Sequence, residues 1–432
     1  MRPHALALIA VIAMSVSFAP AQTTGPAKNG PAEEHAPDGK LLAKGAYKDG
    51  LKTGKWTTFN DAGKPADDAI YLNGKLVGAR TFYWPNGKTR ATVPYRDGAV
   101  SGQVLTFDDA GKRLLLLNYP RPLAAIKKAW SELYPYEPMK PVYDTEPLLD
   151  PPYKAGVLKK EVTDQALKFL KLYRFLANQP YENITVDTSL NALCSAGSVL
   201  LHKHGSLSHF PPKPADMPDA FFAVGAEGCA HSNIYMSGGG GTVIDSLRAY
   251  MDDSDNSNVS KVGHRQWLLN PKMTRTGFGF AAGFSETYSH GQALNMQVAE
   301  RYHVFPGEGY YPEELVGENY AWSFHYNPAQ VAIPKRDALK VSVQRLADDF
   351  SVAEEIPAEI VNLFTEGNWP SPTLIFRPKW KKFAPARYAV TIAGIQTKAN
   401  DTAITYVVDF VSMADVKQSV PATRPAAAPP KP

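Results

Sequence analysis

A strict period of 24 residues constrains this chain more than any other feature. Tyr47, Tyr71, Tyr95 and Tyr119 stand 24 apart, and Gly50, Gly74 and Gly98 keep the same interval, as do Gly54, Gly78 and Gly102. Phe59, Tyr83 and Phe107 continue the register, and the pairs Gly39-Lys40, Gly63-Lys64, Gly87-Lys88 and Gly111-Lys112 close successive units. A fixed period of this length means stacked copies of one supersecondary unit, because a single short unit cannot bury its own apolar face. Each unit reads as two short strands around a glycine turn such as Asp49-Gly50 or Asn73-Gly74, the residue pairs that tight hairpins favour. Residues 38–119 are therefore expected to form a β-hairpin repeat array, its first unit partial and its aromatics stacked from unit to unit.

The tyrosine and glycine spacing resembles the MORN-repeat group, in the glycine-and-lysine-ended variant of exported bacterial proteins. That resemblance implies contacts with protein or lipid, and a passive spacer is the alternative it leaves open. Ahead of the array, Arg2 precedes an apolar run from Ala5 to Phe18, and Ala19-Pro20-Ala21 supplies a small-residue cleavage pattern. Residues 1–21 read as a secretory signal peptide cut near Ala21, followed by a polar leader over 22–37. No later apolar run is long enough for a transmembrane segment, so the expected location is secreted or periplasmic.

Composition narrows the partners. With 44% hydrophobic and 11% aromatic residues the chain has enough apolar material for two or three folded domains. A net charge of +4, without a basic cluster interleaved with aromatics, argues against nucleic acid. An oxidising compartment allows one disulfide between the two cysteines, Cys194 and Cys229, and two buried free thiols fit the sequence equally well.

Residues 120–160 are rich in proline and lack a sustained period, so they read as a linker that packs in places through Trp130, Tyr134 and Tyr136. A helix is expected from about Thr163 to Asn178, with Ala166, Phe169, Leu170, Tyr173 and Leu176 on its apolar face. A second helix, capped by Asp187 or Ser189, carries Leu190, Leu193, Cys194, Gly197, Leu200 and Leu201, and stops at Gly205. His202 and His204 sit in its last turn, where donors complement the helix dipole, and two residues apart they face different ways. A proline-rich loop, a short strand at Asn233–Met236 and a glycine run at Gly238–Gly241 follow. No Gly-Lys-Ser/Thr completes a phosphate loop, so the glycines read as a connector. A third helix with Val243, Leu247, Tyr250 and Met251 on one face ends in Asp252-Asp253. Carboxylates at a helix C-terminus oppose the dipole and call for a partner such as histidine or a metal, or else solvent. Asp253-x-Asp255-x-Ser257 begins like a calcium loop but lacks the glycine and glutamate that complete one.

Leu207-Ser-His209, Ser232-Asn-Ile-Tyr235, Ala249-Tyr-Met-Asp-Asp253 and Gly263-His-Arg265, in that order, resemble the CAP superfamily, the cysteine-rich secretory, antigen-5 and pathogenesis-related proteins, over about residues 160–300. The resemblance implies an α-β-α sandwich with a cleft lined by two histidines and two acidic residues, which in some members hold a divalent metal, often zinc. Carried over, the histidines are His209 and His264, and the second acid is Asp253. The first acid is replaced by Ser232, beside Asn233, and a serine hydroxyl is neither a neutral-pH base nor a good zinc ligand. Glu227 and His231 lie close enough in sequence to stand in for it. Glu318 belongs to a Gly-Glu-Asn that resembles the missing motif but falls outside the domain.

The CAP-like domain is expected over 161–301, closed by strands at Gly277–Phe280 and Ala293–Val298. Alternation at Leu339, Val341 and Val343, at Tyr388, Val390 and Ile392, and at Ile404, Tyr406, Val408 and Phe410 predicts an antiparallel, Ig-like β-sandwich over 302–413. Residues 414–432 lack aromatics and read as a disordered tail. The whole is thus a multi-domain chain: repeat array, linker, CAP-like domain, sandwich, tail. Its expected role is an extracellular binding module for an unidentified ligand or protein. A zinc- or other divalent-metal-dependent hydrolase, peptidase-like and using His209, Asp253 and His264, is the alternative, and Ser232 weighs against it. A third reading makes the repeats the main interaction surface.

Overall fold

In the computed structural model the described residues are 28–135, 143–238, 241–290, 300–367 and 369–418. The signal-peptide stretch, Tyr136, the strand expected at Ala293–Val298 and most of the tail lie outside them.

The period produces one nine-stranded antiparallel sheet running from Gly30–His35 to Arg113–Tyr119. Its hairpins turn at Asp49-Gly50, Asn73-Gly74 and Asp97-Gly98, where both residues have positive φ (51° and 77°, 49° and 77°, 52° and 84°). That is the geometry whose twist matches paired strands, and glycine takes it without a Cβ penalty. Trp56 lies flat over Gly45, where any Cβ would sit 2.3 Å from the indole, and its ring meets Tyr47 at 5.1 Å and Tyr71 at 6.5 Å. The array begins earlier than expected, at Gly30 inside the polar leader. Glu34 on that first strand accepts the Tyr47 hydroxyl at 2.6 Å, a long-range partner that local polarity does not reveal.

The proline-rich linker contains a helix, α1 (Leu123–Leu133), whose buried face is Ile126, Ala129 and Trp130. The prolines on both sides of it obscure its helical spacing in the sequence. Trp130 stacks on Tyr134 at 3.8 Å, and Tyr134 meets Phe169 of the next helix edge-on, so the expected clamp is present at those two residues.

Four helices and a three-stranded sheet position the site. They are α2 (Lys160–Leu176), α3 (Thr188–His204), α4 (Asp219–His231) and α5 (Val243–Asp252), with strands Ser232–Met236, Phe284–Tyr288 and Phe278–Ala281, the second in the middle. Asp187 caps α3 by accepting the Ser189 N–H at 2.9 Å, and Gly205 ends it in the left-handed region. Thr242 and Asp245 form a reciprocal capping box on α5. The stretch read as a proline-rich loop contains α4, which opens just after Pro218, a residue tolerated at a helix start. Alternate residues of the central strand reach opposite helices. Glu286 lies against Gly197 of α3 and Gly228 of α4, while the Ser285 hydroxyl meets Ser246 of α5 at 3.1 Å.

The C-terminal region forms a four-stranded sheet (Tyr302–Phe305, Trp322–Tyr326, Thr373–Pro378, Ala358–Phe364) and a five-stranded sheet (Gly309–Pro312, Ala403–Val411, Arg387–Ala393, Lys340–Leu346, Val352–Ile356). Gly309–Pro312 pairs parallel with Ala403–Val411, so the expected purely antiparallel pattern fails at this edge. One apolar core runs without interruption from Phe82 in the array through α1, α2 and α5 to Met413. The Tyr119 hydroxyl donates to Asp409 at 2.7 Å, and Arg387 pairs with the same carboxylate at 2.9 Å. Among the described residues no helix is long and apolar enough to cross a membrane.

Candidate functional site

Two of the singled-out residues meet at once. Asp253 caps α5 in the left-handed region, with φ 49°, and this turns its carboxylate back toward the short helix α6 (Gly263–Leu268). Oδ1 accepts the Nδ1–H of His264 at 2.8 Å, and Oδ2 accepts the backbone N–H of Arg265 at 3.3 Å. The Asp253 side chain is 1% exposed and that of His264 20%. The acidic helix end therefore has the histidine partner that the dipole argument called for, and the carboxylate fixes the tautomer, leaving Nε2 as the free ring nitrogen.

The backbone leading to His264 is strained. Val262 is buried with φ 45° and ψ 48°, a conformation costing a β-branched residue roughly 1–2 kcal/mol. Strain of this kind collects where surrounding structure over-determines a functional residue. Gly263 follows because the ring of Trp369 would lie 3.0 Å from any Cβ there.

Arg265 bolts this corner to the C-terminal sheets. Its fully buried guanidinium donates to the Met251 carbonyl at 2.8 Å, to the Asp252 carbonyl, and to the Ala321 carbonyl and Ser323 hydroxyl, each at 2.9 Å. Burial pushes its pKa down to about 10, against the opposing pull of Asp253 and Asp252. The carbonyls of Met251 and Asp252 are end groups of α5, so one side chain satisfies the helix terminus and spans two regions.

His209 lies past α3 and donates Nδ1–H to the Cys229 carbonyl at 2.7 Å, which again leaves Nε2 free. Next to it is a residue that sequence reasoning missed, His290, its ring 5.9 Å from that of His209 and 4.2 Å from Trp267. Burial, aided by the neighbouring imidazoles of His209, His231 and His264 and opposed by the His231 carbonyl, lowers the His290 pKa to about 4. Trp267 in turn meets Trp369 of the C-terminal region at 5.7 Å. No motif marks His290 or Trp369, since one follows a strand and the other sits in a loop about a hundred residues away from His264.

The remaining candidates divide. Asn233 supports the site, donating to the His264 carbonyl at 3.0 Å. Ser232 turns to the opposite face of the sheet, fully buried, with its hydroxyl 3.5 Å from the Cys194 thiol, so the expectation that it lines the cleft fails by strand alternation. Glu227 pairs with His231 at 3.1 Å across one helical turn. Cys194 and Cys229 are free buried thiols. Beneath them lies Glu286, fully buried, with Cys229 donating to Oε1 at 3.3 Å and Oε2 without a hydrogen-bond partner among the described residues. Burial raises its pKa well above the ordinary carboxylate range, offset only in part by the Cys229 thiol and the Ser232 hydroxyl. Asp255 binds Ser257 and Asn258 within its own turn, and Glu318 accepts the Phe383 N–H.

As a metal centre the cleft is short of donors. His209 and His264 hold the tautomers that zinc ligands use, but Asp253 is occupied by His264 and Arg265, and Ser232 faces away. Among the described residues no three His, Cys, Asp or Glu side chains are placed to hold an ion, whereas catalytic zinc takes three protein ligands.

Residues 167–298 match the model of the cysteine-rich secretory protein family, CAP. A comparison with curated proteins gave no match. Among solved structures the chain is similar to a GtfA/B complex bound to UDP and GlcNAc, at 15% identity over 22% of this chain and 25% of that one, with a TM-score of 0.14. It is also similar to accessory secretory protein 1, 2 and 3 of Streptococcus pneumoniae, at 9% identity over 58% and 42%, TM-score 0.16. A third is a cysteine-rich secretory protein of Staphylococcus aureus subsp. aureus Mu50, at 12% identity over 60% and 79%, TM-score 0.18. The chain thus spans a quarter and less than half of the length of the first two.

Proposed function

We propose that this CAP-domain protein is an extracellular binding module whose ligand surface is the cleft around His209, His264 and His290. The observation that supports this reading is the Asp253–His264 pair: a buried carboxylate holds one ring nitrogen at 2.8 Å and leaves the other free, on strained backbone. Such pre-ordering lowers the entropy lost on binding. The apolar run from Ala5 to Phe18, followed by Ala19-Pro20-Ala21, supports export. The array, similar to MORN repeats, serves as a spacer or as a second contact surface.

The test is a ligand-observed NMR screen of sugars, peptides and small polar molecules against the chain and a His209→Ala, His264→Ala variant checked for intact folding. Hits lost in the variant are expected. If every hit binds both proteins equally, the cleft is not the binding surface. Zinc titration of the same pair covers the alternative, since tight binding that needs both histidines would redirect the reading to metal-dependent hydrolysis. Mass spectrometry of protein exported from a bacterial host should find a mature N-terminus at Gln22.

A further inference from the structure

We infer that the cleft takes a glycan strand of neutral or N-acetylated hexoses, and that Trp369 of the C-terminal region forms part of this site. The inference rests on the binding reading above and names its ligand class. His209, His290, Trp267 and Trp369 form an unbroken row of rings, with centroids 5.9, 4.2 and 5.7 Å apart in that order. Phe210 stands at the His209 end and is 84% exposed, the most exposed large apolar side chain among the described residues. At the other end Trp369 is half-buried, backed by Phe364 at 5.3 Å and pressed against Gly263, the neighbour of His264. Trp267 in the middle of the row is buried, so what the row offers a ligand is the part-exposed His209 and His290 at one end and Trp369 at the other.

The polar groups along the row point to hydroxyls. Nδ1 of His209 and Nδ1 of His264 are both occupied as donors, so in the neutral form of either ring Nε2 is the atom that accepts from O–H. The Asp253 and Glu227 carboxylates are already paired, with His264 and His231 respectively. Aromatic faces beside neutral acceptors match a sugar, whose C–H face stacks on a ring while its rim hydroxyls donate.

Trp369 is held at the row by contacts that fix the C-terminal sheets against α5 and α6, those of Arg265 among them. Asn362 adds a bond to the Ser260 carbonyl at 2.7 Å. Recognition is thereby assigned to two regions of the chain together.

The experiment titrates the full chain with chitohexaose and, separately, cellohexaose by calorimetry and tryptophan fluorescence. Binding of at least one is expected, weakened about tenfold in Phe210→Ala, an exposed site whose loss leaves the fold intact, and to a similar degree in Trp369→Ala. Trp369→Phe, which keeps a ring, is expected to recover most of it. Failure of both oligosaccharides to bind, or equal binding by wild type, Phe210→Ala and Trp369→Phe and Trp369→Ala, overturns the glycan assignment. If the screen described above yields histidine-dependent hits of another class while both sugars fail, the glycan assignment falls and the cleft reading stands. If it yields no histidine-dependent hit, both fall.

Discussion

At the scale of single residues, the two acids near the cleft behave in opposite ways. Asp253 is buried but fully engaged, so Asp253→Ala removes the orienting partner of His264 and the acceptor of the Arg265 N–H. The expected cost is about 1–3 kcal/mol in chemical denaturation, the range for leaving a buried donor without its acceptor. The same variant should change the His264 ring ¹⁵N shifts, because no group then holds Nδ1–H. Glu286 is buried and under-satisfied, its pKa raised, and it binds its proton more tightly in the folded state than in the unfolded one. Its contribution to stability is complete below the ordinary carboxylate pKa and declines as pH rises above it. Glu286→Gln keeps the shape without the ionisation, so stability of the variant should gain on wild type as pH rises from about 4.5 to 8. Parallel curves for the two proteins would contradict this. Gly197 explains how the carboxyl fits at all, since a Cβ there would sit 2.2 Å from Oε1.

At the scale of elements, Arg265 decides whether α5, α6 and the C-terminal sheets form one unit. It donates to four acceptors on two regions, and its planar fork spans them in a way that a lysine ammonium cannot. Arg265→Lys is expected to destabilise by about 2 kcal/mol or more, read as a lowered melting temperature. It should also make the loop holding Trp369 a site of limited proteolysis. Cleavage unchanged at residues 365–372 would show that the other contacts suffice. The capping choices at Asp187 and Gly205 were legible in the sequence because caps are local chemistry. Helices α1 and α4, both longer than α5, were not, because flanking prolines dominate the two stretches and the alanines and glycines of α4 blur its apolar face.

At the scale of the molecule, the core that starts at Phe82 ties the later repeats to the rest of the chain, whereas Ala43, Trp56 and Ala69 are buried within the array alone. Stability in a stacked array is a sum of unit and interface terms. Hydrogen exchange should therefore find the strands from Gly30 to Leu72 less protected than those from Thr89 to Tyr119. Equal protection would mean that the sheet opens as one body. Acid acts on the whole fold through the buried His303 and His325 and the part-buried His290. His290 is held down to about 4, His303 to about 3, and His325 lower than usual, each chiefly by burial. All three bind fewer protons folded than unfolded, so their stabilising effect is complete above about 6.5 and is lost as pH falls below it. His303→Phe, at a ring stacked 4.3 Å from His325, should flatten that acid limb in thermal melts between pH 6.5 and 4.

What the sequence by itself determined is whatever repeats or acts locally. The 24-residue period fixed the hairpin register, the aromatic ladder and its glycine turns, and the ordered motifs brought His209, Asp253 and His264 into view. Only the tertiary structure decided the rest of the cleft. Strand alternation turned Ser232 away and Asn233 inward, a strand end delivered His290, and a loop of the last region delivered Trp369. None of these has a local signal, because each depends on which face of a sheet or which neighbouring layer a side chain meets after the chain has folded.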